Sequence, residues 1–169
     1  MKDAIVVMGV SGAGKSTLGQ AVAQALGWRF IEGDTLHPPA NIAKMAVGVP
    51  LDDEDRRPFL EAVAGAMVDA GEGVVATCSA LKRSYRDLIR TRTGEIAFVL
   101  PMLDRDQLLT RMEHRTGHFM PASLLDSQLA ALEPPGRDER AIIIDGSADV
   151  ETQVAAVVAA VRARGSAVA

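Results

Sequence analysis

The chain has 169 residues, of which 48% are hydrophobic and 24% are charged, so it is long enough for one compact domain with a sizeable core. The formal net charge of −4 argues against a general nucleic-acid or membrane-surface binder, since such proteins usually carry a basic excess. The single cysteine, Cys78, excludes an internal disulfide, and no apolar run is long enough to span a membrane, so we expect a cytoplasmic protein.

Short apolar runs alternate with helix-period segments along the chain. This alternation is typical of βαβ units, which pack helices on both faces of a mainly parallel sheet. The predicted strands are mostly continuous apolar runs, as expected of strands that are buried on both faces. In chain order they cover residues 4–8, 28–32, 73–78, 96–101 and 141–145. The sequence therefore predicts an α/β domain with a five-stranded sheet.

The first predicted strand leads into the string Gly-Val-Ser-Gly-Ala-Gly-Lys-Ser at residues 9–16, and a helical segment follows it. Glycines let backbone N–H groups turn inward around an anion, and the helix N-terminus adds the positive end of its dipole. Lys15 supplies a mobile charge, and the Ser16 hydroxyl can ligate Mg²⁺. The pattern predicts a loop that binds nucleotide phosphates, formed by Gly9, Val10, Ser11, Gly12, Ala13, Gly14, Lys15, Ser16 and the adjoining Thr17.

Polar residues follow the next two predicted strands. In an open parallel sheet, ligands gather outside the carboxyl ends of the strands. Asp34 follows the second strand, and Ser79 follows the third. Position alone favours a turn or helix cap for Asp34, but beside a phosphate-binding loop it is a candidate to accept a hydroxyl proton or to hold Mg²⁺ through water. His37 can donate to a hydroxyl or carboxylate, whereas Asp145 at the end of the last strand is expected to have a structural or nucleotide-edge role.

Two sets of basic residues recur at helical spacing. Lys82 and Arg86 follow the third strand, where a carboxylate-bearing substrate can dock. Arg111 and Arg115 lie four apart on a helix that the pattern at residues 104–107 predicts to begin with a capping box. Arginines on a closing segment stabilise the charge that spreads over a transferred phosphoryl group. A solvated, salt-linked helix face is the alternative for both sets.

Residues 35–58 and 116–138 do not fit simple crossovers, because prolines and glycines interrupt them. The first segment is predicted to form a short helix with loops, and the second a flap before the last strand. In a phosphate-transfer domain such segments are candidates for a substrate-binding insertion and a lid. We therefore expect a single domain over residues 1–169 with these two additions.

Several strings together resemble the gluconokinase family of small phosphate-loop kinases. They lie at residues 8–16, 33–38, 41–45, 50–58, 78–82, 85–88, 115–120, 127–129 and 132–134. Each string is weak alone, but their order and spacing cover roughly residues 4–162. The resemblance implies an adenylate-kinase-like, three-layer α/β fold with a lid, commonly as a homodimer. It also implies ATP- and Mg²⁺-dependent phosphorylation of D-gluconate on its 6-hydroxyl.

The resemblance also assigns roles to individual residues. It gives the loop to the phosphates of ATP, with Lys15, Asp34 and Arg115 as the catalytic residues and Asp34 as the base. Arg111 and Arg115 resemble the paired lid arginines of nucleotide kinases. The residues implied to line the gluconate pocket are Asp34, His37, Lys44, Ser79, Lys82 and Arg86. Glu32 departs from the family pattern, in which many members have Asp, and this difference bears on the Mg²⁺ ligands.

Two alternatives remain open from the sequence. A kinase of another small anion, shikimate or adenylyl sulfate, would share the loop and an Asp after the second strand, although residues 33–38 and 78–82 favour gluconate. A nucleotide-binding regulator without turnover is the second alternative. The presence of Lys15, Ser16 and Asp34 argues against it. No nucleic-acid or membrane partner is expected.

Overall fold

A five-stranded parallel β-sheet lies at the centre of the structure, which is a computed structural model that describes residues 3–113 and 122–166. The strands are β1 (Ala4–Met8), β2 (Arg29–Ile31), β3 (Val74–Cys78), β4 (Ala97–Met102) and β5 (Ile142–Asp145). Their order across the sheet is β2-β3-β1-β4-β5, and every pairing is parallel. The five predicted strands are confirmed, and their observed ends differ from the predicted ones by no more than about one residue.

Helices connect the strands and cover both faces of the sheet. They are α1 (Lys15–Leu26), α2 (Pro39–Ala46), α3 (Asp53–Ala70), α4 (Arg83–Thr93), α5 (Arg105–Glu113), α6 (Ala122–Ala131) and α7 (Val150–Ser166), with short 3₁₀ helices at Gly33–Leu36 and Arg137–Glu139. Within the described residues, none of these helices combines the length and the apolar character that crossing a bilayer requires.

The side chains of β1 alternate between two cores. Val6 and Met8 belong to the cluster that packs α3 and α4 against the sheet. Ile5 and Val7 belong to the cluster on the opposite face, beneath α1 and α7. Because successive side chains of a strand point to opposite faces, a strand buried on both sides must be apolar at every position. The predicted three-layer arrangement is confirmed.

Side-chain caps fix where two of the later helices begin. The backbone N–H of Asp104 donates to Gln107 Oε1 over 3.0 Å, and the N–H of Gln107 donates to Asp104 Oδ1 over 2.8 Å. This reciprocal pair is the capping box predicted before α5. Asp149 caps α7 by accepting from the N–H of Thr152 over 2.8 Å. Satisfying these otherwise unpaired amides sets the start of each helix.

A buried ion pair joins α4 to the segment that precedes β5. The Arg86 guanidinium, which is fully buried, donates from Nε and Nη2 to the Glu139 carboxylate over 2.5 and 2.8 Å. Its Nη1 donates to the carbonyl oxygens of Ala80, Leu81 and Glu133. Since all of these donors are satisfied inside the protein, Arg86 cannot face a substrate. The sequence-based placement of Arg86 in the gluconate pocket is therefore corrected: this arginine is structural.

The ion pair predicts a defined pH dependence of stability. Hydrogen bonds from Arg86 lower the pKa of Glu139 to about 2 from an ordinary value of 4.5. A carboxyl whose pKa is depressed by folding stabilises the protein above its unfolded pKa, and this contribution disappears as pH falls through the folded pKa. We expect Glu139→Gln to lower the free energy of unfolding by about 3 kcal/mol at pH 7, because it leaves a buried guanidinium unpaired.

Chemical denaturation at pH 7 and at pH 3 measures this effect, with Glu95→Gln at an exposed position as the control. The difference between wild type and Glu139→Gln should narrow at the lower pH, where the wild-type carboxylate begins to take up a proton. If the difference in unfolding free energy between wild type and Glu139→Gln were the same at pH 7 and pH 3, the stabilising role assigned to the Glu139 carboxylate would be wrong.

Candidate active site

The carboxyl ends of β1, β2 and β3 meet at one edge of the sheet and border a cavity of about 580 Å³. These three strands are neighbours, so the segments that follow them converge. The predicted site residues that line the cavity are Ser11, Gly12, Lys15, Ser16, Asp34, His37 and Ser79. Parts of the predicted nucleotide and substrate sites therefore share one cavity, although Ser11 and Ser79 are 68 positions apart in the chain.

The phosphate loop, residues 9–16, has the conformation that anion binding requires. Gly14 adopts a φ of 83° and immediately precedes α1, where a residue with a side chain would be strained. The loop is held to the third strand end by the N–H of Gly9, which donates to the Ser79 carbonyl over 3.1 Å. Lys15 Nζ lies across the loop, 3.0 Å from the Val10 carbonyl oxygen. The helix N-terminus and the ammonium group can therefore act on one anion.

Asp34 is positioned by an unusually close approach of two strands. The N–H of Gly33 donates to Thr77 Oγ1 over 2.9 Å, and the Thr77 hydroxyl donates to the Glu32 carboxylate. A Cβ atom on residue 33 would lie 1.8 Å from the Thr77 carbonyl oxygen, so only glycine fits. The Glu32 and Gly33 contacts hold the end of β2 against β3, which brings the exposed Asp34 carboxylate to the cavity.

His37 is held as a neutral ring at the cavity wall. It stacks on Phe59 with a centroid separation of 3.7 Å and an interplanar angle of 9°. Burial lowers the pKa of His37, the Asp34 carboxylate raises it, and the Arg56 guanidinium lowers it further. The net shift is downward, so the ring is neutral at pH 7. Because both charges act on one imidazole, Asp34 and Arg56 both lie near the His37 ring.

Arg56 is a cavity residue that the sequence reasoning missed. Its side chain is largely buried, and Nη1 donates to Ser79 Oγ over 3.1 Å, while Nε donates to the Leu51 carbonyl over 3.4 Å. Arg56 falls within the predicted insertion at residues 35–58, but the sequence offered no reason to place it in the site. A cation in the first turn of a helix opposes the helix dipole. This signal does not single out Arg56, because Arg86 holds the same place in α4 and faces the core.

Lys44 and Lys82 are not among the residues that line the cavity. Lys44 Nζ lies 2.7 Å from the Asp55 carboxylate, and Lys82 Nζ lies 2.7 Å from the Asp53 carboxylate. The hydroxyl of Tyr85 also donates to Asp53. Both lysines are thus paired with the acidic first turn of α3, close to the cavity but outside it, and the structure does not bring them to the predicted pocket.

Arg111 lies beside the phosphate loop. Its Nη2 donates to the Gly146 carbonyl over 2.7 Å, and its Nη1 is 3.4 Å from the position that a Cβ on Gly14 would occupy. Asp145 accepts from the N–H and hydroxyl of Ser147 and closes a turn, as expected for a structural residue. Arg115, the second predicted lid arginine, lies outside the described residues.

Cys78 does not take part in chemistry. The side chain is fully buried at the end of β3, and burial raises the pKa of its thiol to about 12. A thiol in such surroundings is neither a nucleophile nor a metal ligand at neutral pH. Cys78 is a small packing residue of the core.

Comparison with known proteins identifies the family. The family model for shikimate kinase matches residues 11–161. A gluconokinase from Gluconobacter oxydans is 53% identical over 145 residues, which is 84% of this chain and 82% of that protein. The thermosensitive gluconokinase of Escherichia coli is 44% identical over 88% of this chain and 81% of its own. The chain belongs to the gluconokinase family.

Solved structures agree with this membership. A gluconokinase from Sinorhizobium meliloti superposes with a TM-score of 0.91 at 47% identity, covering 99% of this chain and 95% of that one. A shikimate kinase from Bacteroides thetaiotaomicron superposes with a TM-score of 0.61 at 22% identity, covering 93% and 97%. The second likeness is one of fold alone. The α/β phosphate-loop kinase fold that the sequence resemblance implied is thus confirmed.

Proposed function

We propose that this gluconokinase-family protein transfers the terminal phosphate of ATP to the 6-hydroxyl of D-gluconate, giving 6-phospho-D-gluconate and ADP. The observation that carries the proposal is that the phosphate loop, Asp34 and the Arg56–Ser79 pair line one cavity. A donor site and an acceptor site that share a cavity allow direct transfer between them. Family membership at 53% identity supports gluconate over the alternative acceptors.

In the proposed reaction, the 6-hydroxyl oxygen forms a bond to the γ-phosphorus while the bond to the bridging oxygen of ADP breaks. Amides of the phosphate loop and the Lys15 ammonium hold the phosphates and neutralise their charge, which supplies most of the catalysis in phosphoryl transfer. Asp34 orients the hydroxyl and accepts its proton, since its carboxylate faces the same cavity. ADP leaves with the electrons of the broken bond.

The opposite end of gluconate is a carboxylate, and Arg56 is our proposed partner for it. Among the described residues that line the cavity, Lys15 and Arg56 are the permanently charged cations. Lys15 belongs to the phosphate loop, which leaves Arg56 for the acceptor. Its guanidinium is already oriented by Ser79 and Leu51, so little entropy is lost when it binds a carboxylate. Neutral His37 adds a hydrogen-bonding group for the sugar hydroxyls.

The oxygen-bearing side chains of the cavity fit Mg²⁺. The Ser16 hydroxyl and the Glu32 and Asp34 carboxylates line the same cavity, and magnesium prefers such ligands while keeping several waters. We propose Ser16 as the direct ligand, with the carboxylates ordering bound water. When bound, the ion would neutralise charge on the phosphates.

Further features are proposed from family membership. Residues 35–58 would form the substrate-binding insertion and residues 116–138 the lid, with Arg111 and Arg115 acting on the nucleotide from the lid side. α2 and the first turns of α3 lie in the insertion, which agrees with its contribution of Arg56 and His37 to the cavity. A homodimer and a cytoplasmic location complete the proposal.

A panel of acceptors in a coupled ADP assay tests the proposed function. With Mg²⁺ and ATP, we expect the initial rate with D-gluconate to exceed that with shikimate or adenylyl sulfate by at least about 100-fold, because a site that hydrogen-bonds several hydroxyls rejects analogues that lack them. Identification of 6-phosphogluconate by mass spectrometry completes the test. Rapid turnover of shikimate or adenylyl sulfate without turnover of gluconate would refute the proposal.

The Asp34→Asn variant tests the proposed base. The amide keeps the shape of the side chain but cannot accept the hydroxyl proton, so we expect kcat to fall about 10²- to 10⁴-fold while ATP affinity changes less than about threefold. Steady-state kinetics and nucleotide titration measure the two quantities. Asp69→Asn, at an exposed position of α3, is the control and should match wild type. A near-normal kcat in Asp34→Asn would show that Asp34 is not the base.

Substitution of Arg56 tests the carboxylate site. Arg56→Gln retains hydrogen-bond donors but loses the charge, so we expect KM for gluconate to rise about 10- to 100-fold with KM for ATP nearly unchanged. The neighbouring, exposed Arg57 supplies a matched control, and Arg57→Gln should leave both constants unaltered. Equal effects of the two substitutions would show that the general electrostatic field, rather than a contact from Arg56, attracts the substrate.

A further inference from the structure

Gln128 on α6 binds one residue of the phosphate loop through both groups of its carboxamide. The backbone N–H of Ser11 donates to Gln128 Oε1 over 2.7 Å, and Gln128 Nε2 donates to Ser11 Oγ over 3.2 Å. The two residues are 117 positions apart in the sequence and both line the cavity. We call this pair of hydrogen bonds the Ser11–Gln128 clamp.

Besides the clamp, an apolar contact joins the phosphate loop to α6. Val10 and Ala13 of the phosphate loop share a buried cluster with Leu108 of α5 and Leu125 of α6. On the outer side of these helices, Arg105 Nε lies 2.7 Å from the Asp126 carboxylate in an exposed ion pair. α6 is thus held to the loop by apolar packing and, inside the cavity, by the Ser11–Gln128 clamp, whereas the exposed ion pair to α5 contributes little to its position.

A neutral carboxamide is suited to this position. It accepts from the loop amide and donates to the hydroxyl without placing a negative charge beside the phosphates, as a carboxylate would. Residue 11 lies at the part of the loop that borders the cavity shared with Asp34. An error in the position of this residue would therefore alter the distance between donor phosphate and acceptor hydroxyl, on which the rate depends steeply.

We propose that Gln128 is a positioning residue for phosphoryl transfer, which holds Ser11 and so fixes the cavity-facing part of the phosphate loop relative to α6. The inference rests on the proposed function. Since α6 lies within the proposed lid, the clamp would also link the position of the lid to the geometry of the loop. Gln128 acts through Ser11, so its substitution should change kcat rather than nucleotide binding.

A double-mutant cycle tests the clamp. Gln128→Leu removes both hydrogen bonds at similar size, and we expect kcat with gluconate to fall at least about tenfold with KM for ATP within about threefold of wild type. Ser11→Ala removes only the bond to the hydroxyl and should lower kcat about two- to fivefold. The double variant should resemble Gln128→Leu within about twofold, because residues that act as one unit are not additive.

Asp126→Asn is the matched control, since it breaks the outer contact of α6 with α5 and should leave kcat unchanged. Thermal melting of all variants checks folding; if Gln128→Leu does not fold, Gln128→Asn, which is one methylene too short to make both bonds, takes its place with the same expected kcat. Additive effects, a normal kcat in the Gln128 variant, or an equal loss in Asp126→Asn would each overturn the proposal.

Calorimetry of ATP binding without gluconate distinguishes two cases. In the first, the Ser11–Gln128 clamp persists when ATP is bound, and in the second, ATP displaces it. If the terminal phosphate displaced Gln128 from Ser11, Gln128→Leu would bind ATP more tightly than wild type, and that result would also overturn the proposal. Failure of the proposed function shows itself differently, as absence of gluconate turnover in the wild-type protein. The cycle is then measured with the acceptor that the panel identifies, so the two failures remain distinguishable.

Discussion

The close approach of residue 33 to Thr77 is the constraint on which the site depends. The Thr77 carbonyl oxygen occupies the space that a Cβ on residue 33 would need, and the hydroxyl of the same threonine binds both the Gly33 amide and the Glu32 carboxylate. The short strand β2, three residues long, is thereby fixed at its end against β3. Asp34 reaches the cavity only because the residue before it has no side chain. This contact between two strands brings Asp34 to the cavity that the phosphate loop also lines.

Residues near the start of α3 determine which basic side chains lie at the cavity. The carboxylates of Asp53 and Asp55 favour a helix N-terminus, and they bind Lys82 and Lys44. Arg56, which follows these residues in α3, donates to Ser79 at the cavity wall. The start of α3 therefore pairs two lysines outside the cavity and places one arginine at the cavity wall, beside the phosphate loop.

Local patterns in the sequence were sufficient for the sheet and the phosphate loop. A strand buried on both faces must be apolar at each position, so the run at β1 could be recognised without knowledge of its neighbours. The conformation of the loop depends on glycines and on the helix that follows, all within a few residues of Lys15. Asp34 could be proposed because strand ends converge in every parallel sheet. Capping of α5 and α7 was equally local, since each cap joins residues three apart.

The sequence by itself determined the set of elements, the phosphate loop and membership in a kinase family. Only the tertiary structure decided which distant side chains face the cavity. Arg86 and Arg56 look alike in the sequence, each near the start of a helix. Arg86 is turned into the core because Glu139, 53 residues away, accepts its hydrogen bonds, whereas Arg56 finds Ser79 at the cavity wall. Gln128 meets Ser11 only when α6 packs on the loop. Such contacts depend on the packing of whole elements against each other, and no local pattern of residues encodes them.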